Sequence, residues 1–125
     1  MDLIPVVSTV GSDSDGQAYN INADAVASAI AEALGADKLI FLTDVPGLLA
    51  DVSDTDSLIT EVSVAQVPGL VEDGTISGGM VPKIAGCVEA IDNGVAGVHL
   101  IDGRVPHVLL LELFTDRGVG TMVTP

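Results

Sequence analysis

Basic and aromatic residues are scarce in this sequence of 125 residues, and their scarcity excludes whole classes of partner. Lysine and arginine together number 4 against 18 aspartates and glutamates, which gives a formal net charge of −14. The aromatic residues are one tyrosine and two phenylalanines, too few for a base-stacking platform. A chain this acidic repels phosphate backbones and anionic membrane surfaces at long range. We therefore expect neither nucleic acid nor membrane as a partner.

The sequence is equally poor in cysteine and in long hydrophobic runs. Cys87 is the one cysteine and has no partner for an internal disulfide, which predicts a reducing compartment, the cytoplasm. No apolar run approaches the roughly 20 residues that span a bilayer, and the first residues do not have the pattern of a signal peptide. Cys87 and the two histidines lack the spacing of metal ligands. Because 48% of the residues are hydrophobic, we still expect a folded domain with a sizeable core.

Segments typical of strands and of helices alternate along the chain, which predicts an α/β fold with a mainly parallel sheet. Gly35 suits the C-terminus of the first helix, Ser63 is predicted to cap the second, and Pro82 suits the first position of the third. The predicted strands cover 3–10, 38–43, 95–102 and 120–124, and the predicted helices cover 22–34, 64–72, 82–93 and 106–113.

Ligands of such sheets bind beyond the carboxyl ends of the strands, so polar residues in the loops are candidates for a site. The first such stretch is NINAD, at the start of the first helix. Asn20 and Asp24 are four residues apart and share one helix face if the helix begins early. Helix capping is the alternative, because asparagine and aspartate both favour a helix start. Asn22 alone would suffice as the cap, which leaves Asn20 and Asp24 available for a ligand.

The second stretch is TDVPGL, residues 43–48, directly after the predicted strand 38–43. A hydroxyl, an acid and a turn with glycine allow backbone amides to approach a ligand closely. An ordinary turn explains the same residues equally well, since proline and glycine favour turns.

The third stretch is GTISGGMVPK, residues 74–83. Two adjacent glycines before a helix allow successive amides to converge on an anion. Lys83 lies in the first helical turn, where the dipole disfavours a cation by a few tenths of a kcal/mol, so we expect a bound group to supply negative charge. A flexible surface lysine is the alternative. The spacing is not that of a Walker-type phosphate loop.

Together with IPVVSTV, LGADKLIFL and LLLELFTDRGVGTMV, these stretches resemble the C-terminal, nucleotide-binding half of the amino acid kinase family, and within it the N-acetyl-L-glutamate kinases. The resemblance covers essentially the whole chain, residues 1–125. It implies a three-layer sandwich with a mainly parallel sheet and MgATP as a substrate. The implied reaction is phosphorylation of the γ-carboxylate of N-acetyl-L-glutamate in arginine biosynthesis.

The resemblance also implies roles for single residues. Asn20 contacts acetylglutamate, Asp24 organises the catalytic lysines, and Lys83 stabilises charge on the transferring phosphoryl group. A carboxylate is already a nucleophile, so such a reaction needs positioning and charge neutralisation rather than a general base. The residues implied to border the nucleotide are Thr43, Asp44, Val45, Pro46, Gly47, Leu48, Leu49, Thr75, Ile76 and Ser77.

A further implied site concerns L-arginine as an inhibitor. In arginine-inhibited members of the family, the residues that correspond to Glu112 and Gly118 help to hold the effector, and His107 is a third candidate. A carboxylate is a suitable partner for a guanidinium group. The alternative is that Glu112 faces solvent on its helix and that the glycines only turn the chain.

The main departure from the family is that its N-terminal half has no counterpart in these residues. That half carries glycine-rich phosphate loops, a second catalytic lysine and most of the acetylglutamate pocket. We therefore expect a C-terminal domain that binds nucleotide weakly, lacks kinase activity alone and self-associates through uncovered apolar surface. Two alternatives stay open: a family member acting on aspartate, glutamate, a nucleoside monophosphate or carbamate, and a non-catalytic nucleotide- or arginine-binding module.

Overall fold

The computed structural model describes residues 3–116 and 118–125. Met1, Asp2 and Arg117, the last of which belongs to the stretch LLLELFTDRGVGTMV, lie outside the described residues. The strands are β1 (Val10–Ser12), β2 (Ala18–Asn20), β3 (Leu39–Thr43), β4 (Leu48–Leu49), β5 (Leu58–Ile59), β6 (Glu61–Ser63), β7 (Val98–Asp102) and β8 (Gly120–Thr124), and the α-helices are α1 (Ala23–Leu34), α2 (Val67–Glu72), α3 (Met80–Asp92) and α4 (Val108–Phe114).

The central sheet of the described residues has four strands in the order β3-β7-β8-β6. β3 is parallel to β7 and β6 is parallel to β8, whereas β7 and β8 are antiparallel. Leu39 pairs with Val98 and Thr43 pairs with Asp102, so the carboxyl ends of β3 and β7 lie at the same edge of the sheet. The α/β fold is therefore confirmed, with a mixed sheet in which two of these three strand pairs are parallel.

β7 is buried along its whole length because helices cover the sheet on both faces. Val98 and Leu100 belong to the main hydrophobic core, together with Ile84 and Cys87 of α3. Side chains alternate along a strand, and His99 of β7 instead contacts Glu112 of α4. The layers are thus α1 and α3, then the sheet, then α4.

The predicted helix boundaries are close to the observed ones, and one detail is wrong. Asn22 caps α1, since its Oδ1 atom accepts a hydrogen bond from the Ala25 amide at 3.1 Å, and Gly35 ends the helix with a φ of 59°. Pro82 is the third residue of α3, which begins at Met80, and not its first. The first turn has no internal acceptors for its amides, so proline is tolerated throughout it. The predicted helix over 64–72, which follows Ser63, is a turn of 3-10 helix followed by α2.

The predicted strand over 3–10 is wrong. Only Val10 belongs to a strand, β1, which forms a short antiparallel hairpin with β2. Ile4 and Val6 are almost fully exposed, and no other strand pairs with their segment among the described residues. β-branched residues favour a strand only where a neighbouring strand supplies hydrogen bonds and packing.

The β4–β5 hairpin and β6 were not predicted. These strands have only two or three residues, too short for an alternation of apolar and polar positions to be visible in the sequence. The hairpin places the acidic residues Asp51, Asp54 and Asp56 in the exposed loop between its strands. None of the helices in the described residues has both the length and the apolar character needed to cross a membrane.

Close packing of β7 against β8 depends on Gly120. A Cβ atom at this position would overlap the carbonyl oxygen of Leu100 on the neighbouring strand. That contact is with backbone, which cannot move aside as a flexible side chain could, so residue 120 must lack a side chain.

Candidate active site

A cleft of about 680 Å³ opens at the edge of the sheet where β3 and β7 end. Two of the three sequence stretches meet there: the loop after β3 forms one wall, and the loop before α3 forms another. Crevices at this edge are the usual ligand sites of open α/β sheets. The lining residues are Asp44, Val45, Pro46, Gly47, Leu48, Leu49, Val52, Thr55, Thr75, Ser77, Gly79, Met80, Lys83 and Arg104.

Thr43 and Ile76 were predicted to border the nucleotide, but their side chains do not line the cleft. The Thr43 hydroxyl is buried and donates to the Val45 carbonyl oxygen at 2.8 Å, which fixes the turn after β3. The Ile76 side chain is fully buried in the hydrophobic core. Both residues hold loops in place, and a contact with a ligand would have to come from their backbone.

The loop after β3 is attached to β8 through Thr121. The Thr121 hydroxyl accepts a hydrogen bond from the Leu48 amide at 2.8 Å and donates one to the Ile59 carbonyl oxygen at 2.6 Å. Gly47 makes this approach possible, because it has a φ of +140° and a Cβ atom there would lie 2.7 Å from the same hydroxyl. The wall of the cleft is thus held by buried hydrogen bonds.

Lys83 and Asp24 are brought together from distant parts of the sequence. The Lys83 Nζ atom lies 3.3 Å from Asp24 Oδ2, and both residues occupy the first turns of their helices, α3 and α1. The carboxylate supplies negative charge to a lysine at an unfavourable position of its helix dipole. Because Asp24 is exposed, the pair contributes at most about 1 kcal/mol to stability.

The ion pair lies where the cleft meets a second groove, of about 510 Å³, between α1 and α3. Lys83 and Gly79 line both hollows, whereas Asp24 lines only the groove. Asn20 is exposed at the end of β2 and lines neither hollow. The structure therefore brings Lys83 and Asp24 close to most of the residues that were predicted to border a nucleotide, but not to Asn20.

Arg104 is a cleft residue that the sequence reasoning missed. Its Nε and Nη2 atoms donate to the two carboxylate oxygens of Asp102, at 2.9 and 2.8 Å. This side-chain hydrogen bonding, with a further bond from the Arg104 amide, lowers the pKa of Asp102 to about 2. The signal was present in the sequence, because Gly103 and Arg104 directly follow the predicted strand over 95–102, which ends at Asp102.

Glu112 faces the sheet and not solvent, so the alternative interpretation of this residue is wrong. Its Oε1 atom lies 2.7 Å from His99 Nδ1, and its Oε2 atom accepts from the Val119 amide at 3.3 Å. His99 is only 4% exposed, and its Nε2 atom has no hydrogen-bond partner among the described residues. His107, with a φ of 58°, precedes α4 and is exposed, as is Gly118.

Comparison with known proteins identifies the class: residues 1–102 match the amino acid kinase family, and the chain belongs to that family. It is 60% identical over 120 residues to the acetylglutamate kinase of Desulforamulus reducens and 58% identical to that of Clostridioides difficile, in each case over 96% of this chain. The chain spans 42% of the length of each of these relatives.

Solved structures show the same fold. The N-acetylglutamate synthase of Neisseria gonorrhoeae, complexed with coenzyme A and N-acetyl-glutamate, superposes with a TM-score of 0.80 at 28% identity over 94% of this chain and 26% of that protein. A complex of the synthase with coenzyme A and L-arginine gives a TM-score of 0.77 at 29% identity, over 93% of this chain and 26% of that protein.

Proposed function

We propose that this chain supplies the nucleotide-binding part of a cytoplasmic kinase that transfers the γ-phosphoryl group of MgATP to the γ-carboxylate of N-acetyl-L-glutamate, in arginine biosynthesis. The observation that carries the proposal is the cleft at the carboxyl ends of β3 and β7, with the Lys83–Asp24 pair at its margin. The high sequence identity to two acetylglutamate kinases supports N-acetyl-L-glutamate, and not another acid, as the substrate.

The cleft suits a nucleotide in its chemistry. Val45, Pro46, Leu48 and Leu49 offer an apolar wall for the adenosine. The glycine-rich loop before α3 presents backbone amides to the phosphates, as helix N-termini commonly do. The substrate carboxylate attacks the γ-phosphorus and ADP leaves. Lys83 stabilises the negative charge that develops on the transferring group, and Asp24 holds its ammonium in place. In this scheme Asn20 contacts acetylglutamate.

Nucleotide binding tests this proposal directly. Calorimetry with the magnesium complex of a non-hydrolysable ATP analogue should show binding by the chain. Lys83→Ala should weaken binding roughly 10- to 100-fold, since a charge-assisted contact contributes about 1.5–3 kcal/mol. Lys38→Ala is the matched control, because Lys38 is exposed and precedes the opposite end of β3. No binding by the wild-type chain, or equal loss in both variants, would contradict the proposal.

Catalysis is proposed to need more than these residues. We expect the chain alone to bind nucleotide and not to phosphorylate acetylglutamate, because it spans 42% of the length of the kinases and offers Lys83 as its catalytic lysine. A coupled assay of ADP release in the presence of acetylglutamate measures this. Turnover that Lys83→Ala abolishes would show that the chain is a complete catalyst.

Arginine binding is a second candidate function. The Glu112 carboxylate is largely buried between His99 and the Val119 amide, and a related synthase is known in complex with L-arginine. We propose that Glu112, with His107 and Gly118, holds the guanidinium or amino groups of arginine. Calorimetry with L-arginine should show binding that Glu112→Gln weakens. Arginine binding without binding of the ATP analogue would favour a regulatory module over an enzyme part.

Self-association through α4 is the corresponding proposal for assembly. Leu110, Leu113 and Phe114 expose apolar side chains on this helix, and such surface favours association. Sedimentation at increasing concentration should show a dimer. A monomer at every concentration would count against it.

A further inference from the structure

We propose that Arg104 is a ligand-binding residue of the cleft whose guanidinium group binds the phosphate chain of the nucleotide. The inference rests on the proposed function and adds a second cationic contact to Lys83.

The position of Arg104 is unusual for so acidic a chain. Of the basic residues that the structure describes, Lys83 and Arg104 line the cleft, whereas Lys38 lies beyond the other end of β3. Two of the four basic residues in the sequence therefore border one cleft in a chain of net charge −14. Long-range attraction cannot draw a polyanion to such a protein, so short-range donors must hold it.

Arg104 is both exposed and fixed in orientation. The residue's side chain is 63% exposed, yet Nε and Nη2 are bonded to Asp102, whose side chain is nearly buried at the end of β7. The Arg104 amide also donates to Asp102 Oδ1 at 3.0 Å. Because the side chain is ordered before the ligand arrives, less entropy is lost on binding.

The guanidinium group keeps donors for a ligand. Arginine has five N–H groups, and the pair with Asp102 leaves Nη1 without an acceptor among the described residues. The planar arrangement of these donors matches phosphate oxygens. The cleft is also lined by Val45, Pro46 and Leu48, whose apolar side chains suit a nucleoside.

Asp44 is the competing partner for Arg104. The hydrogen bonds that Arg104 donates to Asp102 raise the pKa of Arg104 most, and the charge of Asp44 raises it further. Among the described residues, no hydrogen bond or ion pair joins the Arg104 and Asp44 side chains. In one case Arg104 interacts only with Asp102 and Asp44 and forms a surface charge cluster that binds no ligand. In the other case Arg104 also binds the phosphates of the nucleotide. The effect of an Arg104 substitution on nucleotide affinity distinguishes the two cases.

The test measures how affinity depends on the number of phosphates. Calorimetry gives dissociation constants for adenosine, MgADP and the magnesium complex of a non-hydrolysable ATP analogue. Arg104→Gln should raise the dissociation constants of the two phosphorylated ligands roughly tenfold or more, because one charge-assisted contact is lost. It should change the dissociation constant of adenosine less than about twofold. Arg104→Lys should be intermediate, because it keeps the charge and loses the planar donors.

Lys38→Gln is the matched control, with the same change of charge at the opposite end of β3, and it should leave all three affinities unchanged. Equal loss of adenosine and nucleotide affinity in Arg104→Gln would overturn the inference, because the residue would then only shape the cleft. Unchanged affinities would overturn it as well and leave the proposed function standing. A wild-type chain that binds none of the three ligands would overturn both.

Discussion

The two faces of the central sheet differ sharply, although both carry aliphatic side chains. Leu100 in β7 is completely buried beneath α3, whereas Leu42 in the neighbouring strand β3 points to the other face and is 61% exposed. On the α3 face, tightly packed apolar side chains form the core. On the α4 face, a polar pair, His99 and Glu112, holds the helix to the sheet.

The difference shows that apolar composition alone does not determine burial. α4 has the sequence VLLLELF, yet Phe114 is 78% exposed and only Val108 is buried. A helix that is apolar all round is typical of a fully covered position. The strand residues that face α3 are buried in the hydrophobic core, whereas α4 exposes several apolar side chains to solvent.

The largest expected effect is at Leu100. Leu100→Ala should lower the free energy of unfolding by about 2–5 kcal/mol, because it leaves a cavity in a packed core. Leu42→Ala is the matched change in the adjacent strand and should cost about 0.5 kcal/mol or less. Urea denaturation of the two variants measures both values. Equal losses would mean that the α4 face is as well packed as the α3 face.

A smaller effect is expected at the polar pair. Glu112→Leu should cost about 1–3 kcal/mol, because His99 then has a buried nitrogen without its partner. The double change His99→Leu with Glu112→Leu should recover part of that loss, since no polar group is left unpaired. Urea denaturation of the single and double variants forms the cycle. If the loss of stability in the double variant equalled the sum of the losses in the two single variants, the His99–Glu112 pair would not anchor α4.

A pH-dependent difference is expected at the edge of the sheet. Asp102 has a pKa of about 2 when folded, below the ordinary value of 3.8. A depressed carboxyl pKa stabilises the fold above the unfolded value, and the contribution is lost between about pH 4 and pH 2.

Asp102→Asn should therefore flatten the fall in stability over this interval. Asp37→Asn, at an exposed aspartate before β3, should leave the fall as steep as in the wild type. Urea midpoints at several acidic pH values measure the slope. The same slope in the wild type and Asp102→Asn would show that Arg104 does not hold the carboxylate in solution.

The smallest effect is expected at Phe114. Phe114→Ser should change the unfolding free energy of the monomer by no more than about 0.5 kcal/mol, because the side chain is exposed. If a second copy covers α4, the same change should lower stability in a concentration-dependent way. The unfolding temperature of wild type and variant, measured at two protein concentrations, distinguishes the two cases. A difference that depends on concentration indicates that a second copy covers α4.

Much of the fold was predictable from local patterns. α1 and α3 were found because each is long enough to show its helical period, and β3 was found as a nearly continuous apolar run. The ends of α1 carry caps that are visible in the sequence. The segment 3–10 was mispredicted because a strand needs a neighbour that local sequence does not reveal. The β4–β5 hairpin was missed because its strands are too short.

The site was predictable in part for the same reason. TDVPGL and the loop before Lys83 follow and precede regular elements, so their place at the carboxyl edge could be expected. The Lys83–Asp24 contact could be expected only from the family resemblance, because it joins residues 59 positions apart. Arg104 was missed because its orientation depends on Asp102, and Ile76 was placed in the cleft although its side chain belongs to the core.

The absent side chain of Gly120 has a consequence for the dimensions of the cleft. Gly120 lets β8 lie close to β7, and the next residue, Thr121, holds the Leu48 amide through its hydroxyl. A single methyl group at residue 120 would move the strand outward, and the wall formed by 44–49 would follow. The width of the cleft thus depends on Gly120, a residue that does not line the cleft and that a bound ligand would not touch.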